Sequence, residues 1–207
     1  MVFATFEGID NSGKSTQIDR IHTWLKSLDL PILVVREPGG TSIGEQIREV
    51  LLHRSEHNIN PETELFLFSA ARAQLVREVI RPALQNGTIV LADRFYDSTT
   101  AYQGYGWGLD LESVSSINTL ASGNLAPDLT LYFDISFRES IARRSQAPDT
   151  IEKRSEEFYS RVREGYLKLA TLHAERYVVV DGMQGVNEIT DQLKQAIAKK
   201  LQERDLV

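Results

Sequence analysis

The residues best suited to chemistry lie together near the amino terminus, in FEGIDNSGKST (6–16). Gly8 through Ser15 fit the pattern GxxxxGK[ST] without a departure. The glycines let successive backbone N–H groups turn towards one point, and a helix opening there adds partial positive charge. Gly8, Asp10, Asn11, Ser12, Gly13, Lys14, Ser15 and Thr16 thus form a cradle for the phosphates of a nucleoside triphosphate. Lys14 would reach the β- and γ-phosphates, and the Ser15 hydroxyl would ligate Mg²⁺. The competing reading is an ordinary glycine-rich turn. The motif's place between an apolar run and a helical pattern favours the cradle.

A second group of residues fits a phosphorylated partner. Asp93 ends the apolar run TIVLA (88–92), where it could hold Mg²⁺ through water, or be an ordinary strand-end acid. Arg36, Arg48, Arg72 and Arg94 fall at or near strand ends or on helices beside them, in a chain of net charge −6. Cations so placed in an acidic chain point to a local anion site, although each alone could be a surface ion-pair partner. Phe68 and Arg72 stand four apart in ELFLFSAAR, hence on one helix face. Stacking plus a planar cation would read a nucleobase; a core position for Phe68 is the alternative.

The elements that must position these groups follow from the apolar pattern. VFATF (2–6), ILVV (32–35), TIVLA (88–92), LTLYF (129–133) and YVVV (177–180) read as strands buried on both faces. Helical patterns lie between them. One begins at Lys14 and runs through Ile18, Ile21, Trp24, Leu25 and Leu28. Another opens at Asn60-Pro61 and stops near Asn86-Gly87, with Pro82 expected to kink or end it. An amphipathic helix carrying Ile189, Leu193, Ile197 and Leu201 closes the chain. Alternation of this kind predicts an α/β fold with a five-stranded parallel sheet covered on both faces. Strand order is left open.

At 207 residues the chain suits a single domain spanning 1–207, with the polar stretch at about 143–157 as a short mobile lid. It has no cysteine, which fits a reducing cytoplasm and excludes disulfides and thiol nucleophiles. The five-residue apolar start is too short for a signal peptide or membrane span. The acidic balance speaks against a nucleic-acid partner. His22, His53, His57 and His173 show no metal-ligand spacing and read as structural or surface residues. Trp107 reads as a loop anchor.

Further motifs lie in register behind the cradle: REPGGT (36–41), FSAAR (68–72), DRF (93–95), STTAYQGYGWG (98–108) and PDLTLYFD (127–134). With them the chain closely resembles the bacterial thymidylate (dTMP) kinases, from Phe6 to about Tyr166. The resemblance implies a three-layer P-loop kinase fold, transfer of the γ-phosphate of ATP to dTMP with Mg²⁺, and a homodimer. It also implies roles. Phe68 would stack on thymine and Arg72 would bond its O4 edge, with Thr99 and Gln103 also on the base. Tyr102 would crowd the sugar C2′ and Asp10 would face the 3′-hydroxyl. Arg48 and Arg94 would hold the dTMP phosphate with Arg36 close by, and Arg143 would stack on adenine.

The family takes a transition-state arginine from the phosphate loop or from the lid. This loop has none, and the lid reads Asp149-Thr150-Ile151-Glu152 where relatives often carry Asp-Arg-x-Glu. Arg144, Lys153 and Arg154 are the candidates to replace it, with Arg144 placed beside Lys14 and Arg94 in the catalytic set. Two other readings stay open on the motifs. One is a P-loop kinase of another nucleoside monophosphate. The other is a nucleotide-binding switch, for which the chain lacks an NKxD-type guanine motif.

Overall fold

The structure, a computed structural model, describes residues 1–52, 59–145, 147, 151 and 153–206. The chain opens with β1 (Phe3–Glu7), α1 (Lys14–Lys26), β2 (Ile32–Arg36), α2 (Ser42–Leu52) and α3 (Pro61–Leu75). A π-helical turn (Val76–Ile80) leads into α4 (Arg81–Gln85), β3 (Ile89–Asp93) and α5 (Tyr96–Thr99). A second π-helical stretch (Thr100–Gly106) precedes α6 (Leu111–Ser122), β4 (Leu129–Asp134) and α7 (Phe137–Ala142). Then come α8 (Glu156–Leu172), β5 (Tyr177–Asp181) and α9 (Val186–Gln202).

The strands form one five-stranded sheet, all parallel, in the order β2-β3-β1-β4-β5. From β1 the chain runs outward to β2, and from β3 it crosses to β4 on the other side. Chain paths therefore diverge at the neighbouring carboxyl ends of β1 and β3, where a crevice for ligands opens. Register completes the arrangement: Phe6 and Arg36 both lie opposite Asp93.

Side chains alternate across the sheet and bury both faces. On one face Ala4, Phe6, Leu91 and Leu131 pack against Ile18, Ile21 and Leu25 of α1 and Ile189, Leu193 and Ile197 of α9. On the other, Phe3, Val35 and Val90 meet Leu75, Val76, Ile80 and Phe95. The outer strands differ from the expectation of burial on both faces. β2 and β5 are edges, with Val34 42% and Val179 43% exposed, because only a neighbour on each side closes a strand. Likewise α1 ends at Lys26, leaving Leu28 exposed.

Pro82 does not end its helical stretch. The wider π turn comes just before it, and Pro82 takes an early position of α4, where its missing N–H costs little. Asn60 and Pro61 open α3 as the sequence predicts, although the Asn60 side chain makes no capping hydrogen bond. His53 and His57 lie outside the described residues.

Candidate active site

The loop from Gly8 to Gly13 is shaped by backbone that ordinary residues avoid. Gly8 has φ +143°, and a Cβ there would stand 2.8 Å from the Phe133 carbonyl oxygen. Gly13 has φ +100° and open space beside it. Lys14 is buried, and its ammonium donates to the carbonyls of Gly8 (3.1 Å) and Ile9 (2.8 Å) and to Ser12 Oγ (3.4 Å). Burial, with Arg94 nearby, pushes the Lys14 pKa down to about 8 against the pull of Asp93, Asp10 and Glu7. Ser15 and Thr16 lie exposed at the start of α1.

Arg94 follows β3 in the left-handed region, φ +71°. Its guanidinium pairs with Asp10 (2.7 Å), donates to Ser98 Oγ (3.2 Å) and Tyr102 OH (3.3 Å), and lies over the Tyr102 ring. Burial alone would raise the Asp10 carboxyl, yet Arg94 and Lys14 hold it below its ordinary value.

Behind Arg94 stands Glu7, fully buried at the end of β1. It accepts hydrogen bonds from Phe95 N–H (2.7 Å), Ser98 Oγ–H (2.6 Å) and Tyr166 OH (2.9 Å). Burial and then Asp97 push its pKa from 4.5 up to about 7, against Ser98, Arg94 and Tyr166. The native chain therefore holds this proton more tightly than the unfolded chain does. Its stabilising effect is complete below pH 4.5 and is lost as pH rises through about 7. Urea midpoints should fall between pH 5 and pH 8, and the fall should shrink in Glu7→Gln.

On the opposite wall Arg72, only 1% exposed, is fixed by buried partners. Nε and Nη2 donate to the Glu37 carboxylate at 2.9 and 2.6 Å. Nη1 donates to Asn118 Oδ1 (3.1 Å), and Nη2 also to Thr99 Oγ1 (3.0 Å). Burial pushes the Glu37 pKa up against the pull of Arg72.

Between these walls lies a cavity of about 450 Å³. It is lined from the phosphate loop by Asp10, Asn11, Lys14 and Ser15, and from the strand ends by Arg36, Asp93 and Arg94. Arg48, Phe68, Arg72, Thr99, Tyr102, Gln103 and Ile151 are among the others that line it. Phe68 is half-buried: it lines this space and also packs against the core around Tyr102 and Tyr159. Arg36 also forms the surface ion pair, to Glu45 at 2.8 Å, and Arg48 donates to the Pro38 carbonyl (2.9 Å).

Arg143 and Arg144 do not line the cavity; Arg143 donates to the Gly182 carbonyl (2.9 Å). Asp149, Thr150 and Glu152 lie outside the described residues. Conversely, Glu37 and Ser98 line the cavity and Glu7 supports Arg94 through Ser98, yet none was given a role although all three lie in the quoted motifs. For Glu7 and Glu37 the available signal was an ionisable residue at or just past the carboxyl end of an apolar run, the argument that singled out Asp93.

A thymidylate kinase family model matches residues 6–193. The chain belongs to the thymidylate kinase family. The thymidylate kinase of Kosmotoga olearia is 48% identical over 194 residues, 93% of each chain. That of Caldanaerobacter subterraneus is 46% identical over 200 residues, 96% of each chain. Among solved structures, the thymidylate kinase from Ehrlichia chaffeensis matches with TM-score 0.78 at 31% identity, covering 95% of this chain and 98% of that one. The fold is that of a P-loop kinase.

Proposed function

We propose that this chain transfers the γ-phosphoryl group of ATP to dTMP, giving dTDP and ADP. One observation carries the reading: a single cavity joins the phosphate loop to Phe68, Arg72, Thr99, Tyr102 and Gln103. ATP phosphates lie in the cradle of Gly8 to Thr16, with Lys14 against the β- and γ-phosphates. Thymine stacks on Phe68, and Arg72 bonds its O4 edge. Tyr102 crowds the sugar C2′, Asp10 faces the 3′-hydroxyl, and Arg94, Arg48 and Arg36 hold the acceptor phosphate.

A phosphate-monoester oxygen of dTMP attacks the γ-phosphorus as the bond to the ADP oxygen breaks. The acceptor has a second pKa of about 6 and is mostly dianionic at neutral pH, so no general base is required. The difficulty is bringing two polyanions together, and preorganised cations answer it. Lys14 and Arg94 supply that charge at once, with Arg144 entering from a lid at about 143–157 within a single 1–207 domain.

Mg²⁺ fits the same corner. Asp93 Oδ1 is buried without a hydrogen-bond partner, beside the cavity that Ser15 also lines. Ser15 would hold the ion directly and Asp93 through water, and the ion would neutralise phosphate charge. On this reading Arg143 stacks on adenine, the enzyme works in the cytoplasm, and it forms a homodimer. Sedimentation equilibrium measures the last of these. Among the described residues no helix is long and apolar enough to cross a membrane.

The reading is tested by ADP release with ATP and Mg²⁺ across dTMP, dUMP, dCMP, dGMP and AMP. Strong preference for dTMP is expected; robust release with another acceptor would keep the kinase and discard the thymidine readers. Phe68→Ala should raise the dTMP KM by roughly tenfold or more while leaving the ATP KM near wild type, since one base-stacking contact is worth about 1–3 kcal/mol. An unchanged dTMP KM would return Phe68 to the core.

A further inference from the structure

Arg154 stands in the lid stem among the candidates for a phosphoryl-stabilising cation, yet its guanidinium is committed elsewhere. Nη2 donates to Glu64 Oε1 on α3 at 2.5 Å, and the two side chains are 13% and 2% exposed. The other Glu64 oxygen accepts from the Trp107 indole N–H at 2.9 Å. Arg154 also lies over the rings of Trp107 (4.8 Å) and Phe158 (4.7 Å). The acid, the cation and the aromatic rings come from α3, the lid stem, the turn after the second π stretch, and α8.

What this cluster touches gives it meaning. Glu64, Phe68 and Arg72 recur at four-residue intervals, so one stripe of α3 carries both the anchor of Arg154 and the base-reading pair. Phe158 packs edge-on against Tyr102 (6.1 Å). The Ile151 carbonyl accepts from Arg154 N–H (3.3 Å) and Tyr159 OH (3.2 Å), while Ile151 lines the cavity. Gly106 backs the cluster closely, since a Cβ there would stand 2.7 Å from the Phe158 ring.

We propose that Glu64 and Arg154 are a positioning pair that holds Ile151 and residues 153–158 against the acceptor-reading stripe of α3, and so sets Ile151 and Tyr102 on the cavity wall. The pair belongs to acceptor selection, not to the transferring phosphoryl group. A guanidinium paired to a buried carboxylate cannot leave without stranding that charge, which makes the link stiff. Arg154 Nη1 is buried without a hydrogen-bond partner, and a direct phosphate contact through it is the rival that the test must separate. The proposal rests on reading the cavity as the dTMP site.

Arg154→Met, Arg154→Lys, Glu64→Gln and the Glu64→Gln/Arg154→Met double variant are compared for kcat and for the KM of dTMP and ATP. Arg154→Met and Glu64→Gln should each raise the dTMP KM roughly tenfold with little change in ATP KM, and the double variant should be no worse than either. Arg154→Lys, which keeps the charge but not the planar fork, should fall between. A kcat loss of about a hundredfold in Arg154→Met, with Glu64→Gln at wild-type level, would overturn the proposal in favour of direct action on the phosphoryl group. Wild-type constants in both variants would overturn it as well.

The chain has two tryptophans, so in a Trp24→Phe background Trp107 emission reads the cluster without turnover. Emission should shift in both variants, and no shift would refute the pairing. Wild-type protein without dTMP-dependent ADP release would instead overturn the function itself. The emission arm would still decide the pair.

Discussion

Lys14→Ala is expected to keep its fold and lose turnover by about 10²–10³-fold, the scale of removing one preorganised charge donor. The ammonium is buried and satisfied by the Gly8 and Ile9 carbonyls and Ser12 Oγ, so it caps the loop proposed as the phosphate cradle. Burial has already lowered its pKa to about 8, which means that the native chain tolerates the charge at some cost. Removing it therefore relieves that cost and frees loop carbonyls beside an open cavity, where water replaces the lost donors. Thermal unfolding should stay within a few degrees of wild type while ADP release is lost. Wild-type turnover in this variant would sink the assignment of the cradle.

The second large effect concerns stability. Arg72→Ala should lower it by about 3–5 kcal/mol, because the Glu37 carboxylate is then left buried and unpaired. At about 2–4 °C per kcal/mol for a chain of this size, the midpoint should drop by roughly 10 °C, and dTMP binding should fail together with it. The Arg72→Met/Glu37→Met double variant separates the two consequences. It removes both charges, so part of the stability should return, while the contacts to the Asn118 amide oxygen and the Thr99 hydroxyl stay lost. The acceptor site should remain defective. Full dTMP binding in the double variant would show Arg72 to be a structural cation only.

Much of the site was legible along the chain because phosphate binding is local chemistry. The cradle needs contiguous backbone N–H groups, two glycines and one lysine, and all of them fall within residues 8–15. The sheet was equally legible, since five apolar runs separated by helical periodicity admit little besides a parallel α/β layer. Phe68 was different. Its four-residue spacing to Arg72 put both on one helix face, but a helical aromatic faces a core just as readily, and only the tertiary structure shows that it lines the cavity while packing on the core behind it.

Other features had no sequence signal at all. Strand order was one: every run has the same apolar character, and the order β2-β3-β1-β4-β5 depends on which helix face each crossover buries. The partners of the functional cations were another. Arg72 finds Glu37 across 35 positions, Arg94 finds Asp10 across 84, and Arg154 finds Glu64 across 90. A pair of charges drawn from separate elements leaves no period that would reveal the pairing. Glu37 and Glu64 carry no sign of their partners along the chain, and only the burial that packing imposes, with the desolvation it costs, requires that each meet its arginine.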